Sequence, residues 1–191
     1  MARSLRTLLL VAVTFLVLAG TAEARGGNYV FASGTPAEQG QVTAALDASA
    51  FDWSLVPQQI TVHIAPGVDS EATLGQIWLD SDLLHAGQFS WGVVQHEYAH
   101  QVDFFLLNPA MRASLLAKLG GSDWCHGIAG LPHASYGCER FASTLTWAYW
   151  PSAANSMRPQ SAQDESAGMK PAAFRALMTS MIGAPVTQLR R

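Results

Sequence analysis

WGVVQHEYAHQVDFF, residues 91–105, is the stretch that decides the fold, because it predicts one long buried helix. Apolar residues stand on both sides of that helix, near its two histidines and opposite them: Val93, Val94, Tyr98, Val102, Phe105 and Leu107. A helix that is apolar all round packs inside a protein rather than on its surface. Ser90 is the expected cap at its start, and Asn108-Pro109 is expected to end it.

Two histidines and a glutamate in this helix have the spacing of a metal site. His96 and His100 are four residues apart, so both imidazoles project from one face of the helix. Zinc favours nitrogen ligands in a tetrahedral arrangement. Glu97 is rotated by about 100° around the helix axis, where it can act as general base toward a metal-activated water. The pattern therefore predicts a catalytic Zn²⁺ site.

A catalytic zinc usually has a third protein ligand and one open position. Glu139 is the leading candidate, because it begins a second apolar helix, residues 138–150, that must pack against another element. Asp103 competes, but it lies about 10 Å along the axis from His96. Asp103 is therefore expected to support His100 from outside the ligand set or to make a helix-surface contact. Three other histidines stay open as alternative ligands: His85, His126 and His133.

Hydrolysis of a peptide bond also needs a hydrogen-bond donor for the oxyanion. Tyr136 and His133 stand just before Glu139 in the sequence, and Tyr149 stands further along the same predicted helix. The sequence does not choose among these three residues. Gln101, on the central helix, is expected to be a bystander.

The motif HEYAH, followed after 39 residues by the helical ERFA, resembles the zincin metallopeptidases. A glutamate ligand places the resemblance in the gluzincin branch. The resemblance implies a zinc ion held by His96, His100 and Glu139, with Glu97 as base. It also implies that QIWLD, residues 76–80, is an edge strand that pairs with an extended substrate. Ser143 stands where thermolysin-like enzymes carry an aspartate, so the resemblance is to a separate gluzincin-like family.

The rest of the chain predicts an α+β domain, with a short mixed or antiparallel sheet packed on the central helix and a mostly helical C-terminal part. Thr35-Pro36-Ala37-Glu38 is a typical helix start, and QITVHI has the period-2 alternation of a strand. VDSEAT, residues 68–73, is expected to be a loop. Strands are predicted over 59–64 and 75–80, as a hairpin or as neighbours, and further helices over 36–50, 110–119 and 172–181.

The N-terminus predicts export. Residues 1–24 have a basic start at Arg3 and Arg6, an apolar run and a small-residue cleavage site, as a signal peptide does. The apolar run, residues 8–20, is shorter than the roughly 20 residues of a membrane-spanning helix. A secreted protein, extracellular or periplasmic, is therefore expected, and an uncleaved membrane anchor is the alternative. Residues 25–191 are expected to form one domain and a monomer.

Cysteine content and charge narrow the possible functions. Cys125 and Cys138 predict a disulfide in an exported protein, with a metal site shared with His126 and His133 as the alternative. Without residues 1–24 the chain has 9 basic and 13 acidic residues, a formal charge of −4. It has no basic cluster beyond the terminal Arg190-Arg191, so nucleic acid is not expected as a partner.

Together these features predict a secreted zinc metallopeptidase that acts on peptides or proteins. Two alternatives remain open at this point. One is a secreted zinc-binding protein without catalytic turnover, and the other is a zinc amidase that acts on cell-wall peptides. Substrate preference depends on the shape of the cleft and does not follow from the motif.

Overall fold

The computed structural model describes residues 26–125 and 127–184. The strands are β1 (Tyr29–Phe31), β2 (Ile60–Ala65), β3 (Glu71–Thr73) and β4 (Gln76–Asp80). The helices are α1 (Pro36–Ala48), α2 (Ser81–Leu84), α3 (Gln88–Leu106), α4 (Pro109–Leu119), α5 (Gly137–Tyr149) and α6 (Pro171–Ile182). Single 3₁₀ turns span Trp53–Leu55, His133–Ser135 and Glu165–Gly168. The α+β prediction is confirmed.

The sheet is mixed, with strand order β1-β2-β4-β3. β2 pairs in parallel with both β1 and β4, and β3 pairs antiparallel with β4. Ile60, Val62 and Ile64 of β2 are buried, as their alternation predicts. The expectation that residues 76–80 form an edge strand is wrong, because β3 covers that side of β4. β3 lies inside the predicted loop 68–73, and its three residues are too few to show an alternating pattern.

Helix α3 is the centre of the structure, and it packs against α1, α5 and the sheet. It begins at Gln88, after Gly87, whose φ of 60° suits glycine. Ser90 is therefore not the cap but lies in the first turn, where its Oγ donates to the carbonyl of Gly87 at 2.7 Å. The predicted end of the helix before Asn108-Pro109 is confirmed.

Gln101 attaches α3 to the sheet and is not a bystander. Its Oε1 accepts a hydrogen bond from the Gly75 amide at 2.9 Å. Its Nε2 donates to the carbonyls of Thr73 at 2.9 Å and Gln76 at 3.1 Å. The buried amide thus holds the β3–β4 turn on the helix.

The helices after α3 begin and end close to the predicted residues. The Asn108 side chain accepts from the Met111 amide at the start of α4, and Gly120 ends that helix in the left-handed region. The main core lies between α1, α3, α5 and the sheet. Its largest fully buried side chains are aromatic: Phe51, Trp53, Tyr98, Phe141, Tyr149 and Phe174.

The predicted disulfide between Cys125 and Cys138 is confirmed, with the two Cα atoms 5.4 Å apart. In this state neither sulfur is a thiolate that could bind a metal, which removes the cysteine-containing alternative. The predicted signal peptide, residues 1–24, lies outside the described residues, as does His126. Within the described ranges no helix is both long and apolar enough to span a bilayer.

Candidate metal centre

Packing of α5 against α3 brings the three predicted ligands together. Glu139 lies in the first turn of α5, and its Oε2 is 3.1 Å from His96 Nε2 and 3.2 Å from His100 Nε2. The two imidazole Nε2 atoms are 3.2 Å apart. All three residues are buried, with 5–6% of their surface exposed. A pair of residues on one helix and a third residue 39 positions later thus converge on one point.

The shape of this cluster fits a zinc ion. Ligand atoms held tetrahedrally at about 2.0–2.1 Å from zinc stand roughly 3.3 Å apart, close to all three separations in the cluster. Three hydrogen bonds cannot share such a triangle well, because each N–H points along one direction and hydrogen bonds weaken steeply when bent. Two imidazoles and one carboxylate are also ligands that zinc commonly takes.

The electrostatics of the cluster keep Glu139 ionised. Burial favours the neutral acid, but hydrogen bonds from His100 and His96 outweigh it and hold the pKa of Glu139 far below its usual range. Burial likewise opposes the charged form of His96, yet the bond to Glu139 raises the pKa of that imidazole. Glu139 is therefore the anionic partner of both buried histidines.

Glu97 lies beside this cluster, as its position in the motif predicts. It is 6% exposed, and burial raises the pKa of its carboxyl group. The nearby imidazoles of His96 and His100 act in the opposite direction. No described residue forms a hydrogen bond with the Glu97 carboxylate. A buried carboxylate that is not engaged by the fold has the properties of a general base.

His133 borders the same cluster from the solvent side. Its Nε2 is 3.2 Å from Glu139 Oε2, and its Nδ1 donates to Glu165 Oε1 at 2.6 Å. The side chain is 61% exposed, unlike the three buried side chains of the cluster. The bond to Glu165 raises the pKa of His133. Because both ring nitrogens face carboxylates, the protonated form is favoured, and His133 is a hydrogen-bond donor at the rim of the site.

Two residues to which the motif gave no role, Ser143 and Glu165, lie next to the cluster. Ser143 Oγ is 3.1 Å from His96 Nδ1 and donates to Glu165 Oε2 at 2.7 Å. Burial opposes ionisation of Glu165, but the bonds from His133 and Ser143 lower its pKa. The sequence indicated Ser143 through its position four residues after Glu139, where thermolysin-like enzymes carry an aspartate. Glu165 had none, because it lies in a polar stretch without a motif.

The other candidate residues lie elsewhere. Asp103 does not hydrogen-bond to His100; Arg112 Nε donates to its Oδ1 at 2.7 Å and Trp124 Nε1 to its Oδ2 at 3.1 Å. Tyr136 is engaged by the loop, since its hydroxyl donates to the Ile128 carbonyl at 2.7 Å. Two more positions are outside the cluster as well: Tyr149 is in the core, where burial raises its pKa to about 12, and His85 lies 3.6 Å from Glu38.

Comparison of the chain with models of known protein families, with curated proteins and with solved structures finds no match. The resemblance to zincin metallopeptidases therefore rests on the motif and remains a prediction.

Proposed function

We propose that this protein is a secreted zinc-dependent metallopeptidase that hydrolyses peptide bonds. The observation that carries the proposal is the buried triangle of His96 Nε2, His100 Nε2 and Glu139 Oε2, with sides of 3.1–3.2 Å. These residues would hold the zinc ion. When bound, zinc supplies Lewis-acid chemistry, because it lowers the pKa of water and polarises a carbonyl group.

Glu97 is the general base in this proposal. Its carboxylate accepts a proton from the attacking water and transfers that proton to the amine that leaves. Burial raises the pKa of this carboxyl group, which strengthens it as a proton acceptor. The absence of a hydrogen-bonded partner among the described residues leaves its oxygens available for water.

His133 is the proposed donor to the oxyanion. Its Nδ1–H is held by Glu165, so the ring is oriented, and its Nε2 faces the cluster next to Glu139. The 61% exposure of the side chain supports this role, because a substrate bound at the cluster could reach it. This geometry favours His133 over Tyr136, whose hydroxyl is already bonded to a backbone carbonyl.

Peptides or proteins are the proposed substrates, and a monomer is the proposed state. Export is supported by the disulfide, because such bonds persist in oxidising compartments.

The test compares zinc content and hydrolysis of an unfolded protein substrate for the wild-type protein and Glu97→Gln. We expect both proteins to bind one zinc ion and the variant to lose about 10²- to 10⁴-fold in kcat. Glu71→Gln, at an exposed position on β3, is the matched control and should retain full activity.

Other outcomes separate the alternatives. Zinc bound in both proteins without hydrolysis of any peptide would favour a non-catalytic zinc-binding protein. Cleavage of purified cell-wall peptides alone would favour the amidase. A wild-type protein that binds no zinc would contradict the proposal altogether.

A further inference from the structure

Glu165 lies where two parts of the site meet. It begins the 3₁₀ turn Glu165–Gly168, and each of its carboxylate oxygens has a different partner. Oε1 accepts from His133 Nδ1 at 2.6 Å, and Oε2 accepts from Ser143 Oγ at 2.7 Å. Its side chain is only 20% exposed. One carboxylate thus contacts the rim histidine directly and the ligand His96 through a serine.

The direction of these hydrogen bonds determines the form of His96. A carboxylate can only accept, so the Ser143 hydroxyl must donate its proton to Glu165. The serine oxygen then accepts from His96 Nδ1–H, at 3.1 Å. An imidazole whose Nδ1 carries the proton has its Nε2 lone pair available for a metal. Without Glu165 the hydroxyl could turn and donate to Nδ1, which would stabilise the tautomer that does not bind metal.

The segment that carries Glu165 is fixed to the helices. Residues 151–170 pass over α3 at Gly92, where a Cβ would overlap with Asn155 and Ser156. Asn155 Nδ2 donates to the Trp150 carbonyl at 2.8 Å, and the buried Ser166 Oγ donates to the Met157 carbonyl. Glu165 is therefore held in place by its own segment and not only by the residues that it contacts.

We propose that Glu165 is a positioning residue that orients His96 through Ser143 and His133 directly, so that one carboxylate sets both a metal ligand and the hydrogen-bond donor at the rim. This inference rests on the proposed function. Partners of this kind, which orient a ligand histidine, typically contribute 10- to 100-fold to metal affinity. The contacts of Glu165 form two branches: the Ser143 branch, which leads through Ser143 to His96, and the His133 branch, which is the direct bond to His133. Loss of the Ser143 branch should therefore be measurable as weaker zinc binding, without any measurement of turnover.

The experiment measures zinc dissociation constants of the full protein by competition with a chelator. We expect Ser143→Ala and Glu165→Ala each to weaken zinc binding by about 10- to 100-fold. The double variant should be no weaker than the weaker single variant, because both changes break the same branch. If the two changes instead loosened the structure independently, their losses of zinc affinity would add in the double variant. Glu165→Gln can still accept from Ser143, so its zinc affinity should stay within about threefold of wild type while kcat falls through the His133 branch.

Ser166→Ala is the matched control, since it removes a buried hydroxyl from the same segment but touches neither branch. It should leave zinc affinity unchanged even if the protein unfolds at lower temperature. Equal zinc affinity in wild type, Ser143→Ala and Glu165→Ala would overturn the inference, as would additive losses in the double variant. Zinc binding with these expected losses but no hydrolysis would overturn only the peptidase proposal, whereas a wild-type protein that binds no zinc would overturn both.

Discussion

Helix α3 carries two kinds of buried polar residue, and their partners differ. Gln101 and Asp103 are fully engaged by the fold: the first by three backbone groups near the β3–β4 turn, the second by Arg112 and Trp124. His96 and His100, on the same helix, meet each other and Glu139 in a triangle that hydrogen bonds alone satisfy poorly. Burial is costly for both sets, but only for the second would a bound ion remove that cost. The first set should therefore govern stability, and the second should govern zinc affinity.

The sharpest test of the first set is Gln101→Ala. Its removal takes hydrogen bonds away from the Gly75 amide and from the carbonyls of Thr73 and Gln76, which lie at a partly buried surface. Each bond contributes about 1 kcal/mol, so we expect a loss of about 3 kcal/mol in the free energy of unfolding, measured with urea in the presence of a chelator. The exposed Gln58→Ala is the control and should change little. Loss of zinc affinity in the folded Gln101→Ala protein would break the division between the two sets.

The disulfide joins the two sets, because Cys125 follows Trp124 and Cys138 precedes Glu139. Replacing both cysteines with serine opens a loop of 13 residues, which should cost about 3 kcal/mol of unfolding free energy. Urea unfolding of the zinc-free protein measures this loss. We expect the folded variant to keep most of its zinc affinity, since α5 itself holds Glu139 against α3. A large loss of zinc affinity in the fully folded variant would show that the loop, and not the helix, positions Glu139.

Glu139→Gln tests the second set, His96 and His100, by changing the carboxylate that they share. The amide keeps the shape of the side chain but lacks the charge of a ligand carboxylate, so zinc affinity should fall about 100-fold, or about 2.7 kcal/mol. At mildly alkaline pH, where the charged His96–Glu139 pair contributes little, the zinc-free variant should unfold at nearly the same urea concentration as the zinc-free wild type. Chelator competition and urea titration measure the two quantities separately. Unchanged zinc affinity would contradict the ligand assignment, and His133 would then be the residue to examine.

The sequence predicts α3 and the pairing of His96 with His100 on one of its faces well, because a helical period and a four-residue spacing are local features. The position of Glu139 could also be predicted, since it lies at the start of an apolar helix that must pack against another element. Glu165 is different: it meets Ser143 across 22 residues, and that contact depends on how the intervening segment passes over Gly92. No local pattern encodes such a crossing.

The fold shows the same limit. The buried alternation of β2 is readable, whereas β3 is three residues long and its pairing with β4 depends on the turn at Gly75 and on Gln101. The role of Gln101 was missed for this reason, because its partners are backbone groups of a strand that the sequence does not reveal. Tertiary packing determines whether a short strand forms and which backbone groups a side chain such as Gln101 binds, so neither can be predicted from local sequence.

The smallest predicted effect is a pH dependence that has opposite signs with and without zinc. Without zinc, His96 is stabilised in its charged form by Glu139, so its pKa is raised in the folded protein. The stability that this pair contributes is present below the usual histidine pKa and is lost as pH rises through the raised value. Glu139, whose pKa is lowered, contributes stability that is lost only as pH falls below the usual carboxyl range.

We therefore expect the unfolding free energy of the zinc-free protein to fall as pH rises from the mildly acidic to the mildly alkaline range. With excess zinc the trend should reverse, because zinc binds neutral imidazole and a rise in pH removes the competing proton. Thermal unfolding at a series of pH values, with zinc and with chelator, measures both trends. In Glu139→Gln the zinc-free trend should become smaller but not vanish, because the raised pKa values of Glu97 and His133 contribute in the same direction. A zinc-free wild type that gains stability with rising pH would show that His96 and Glu139 are not the pair that controls this site.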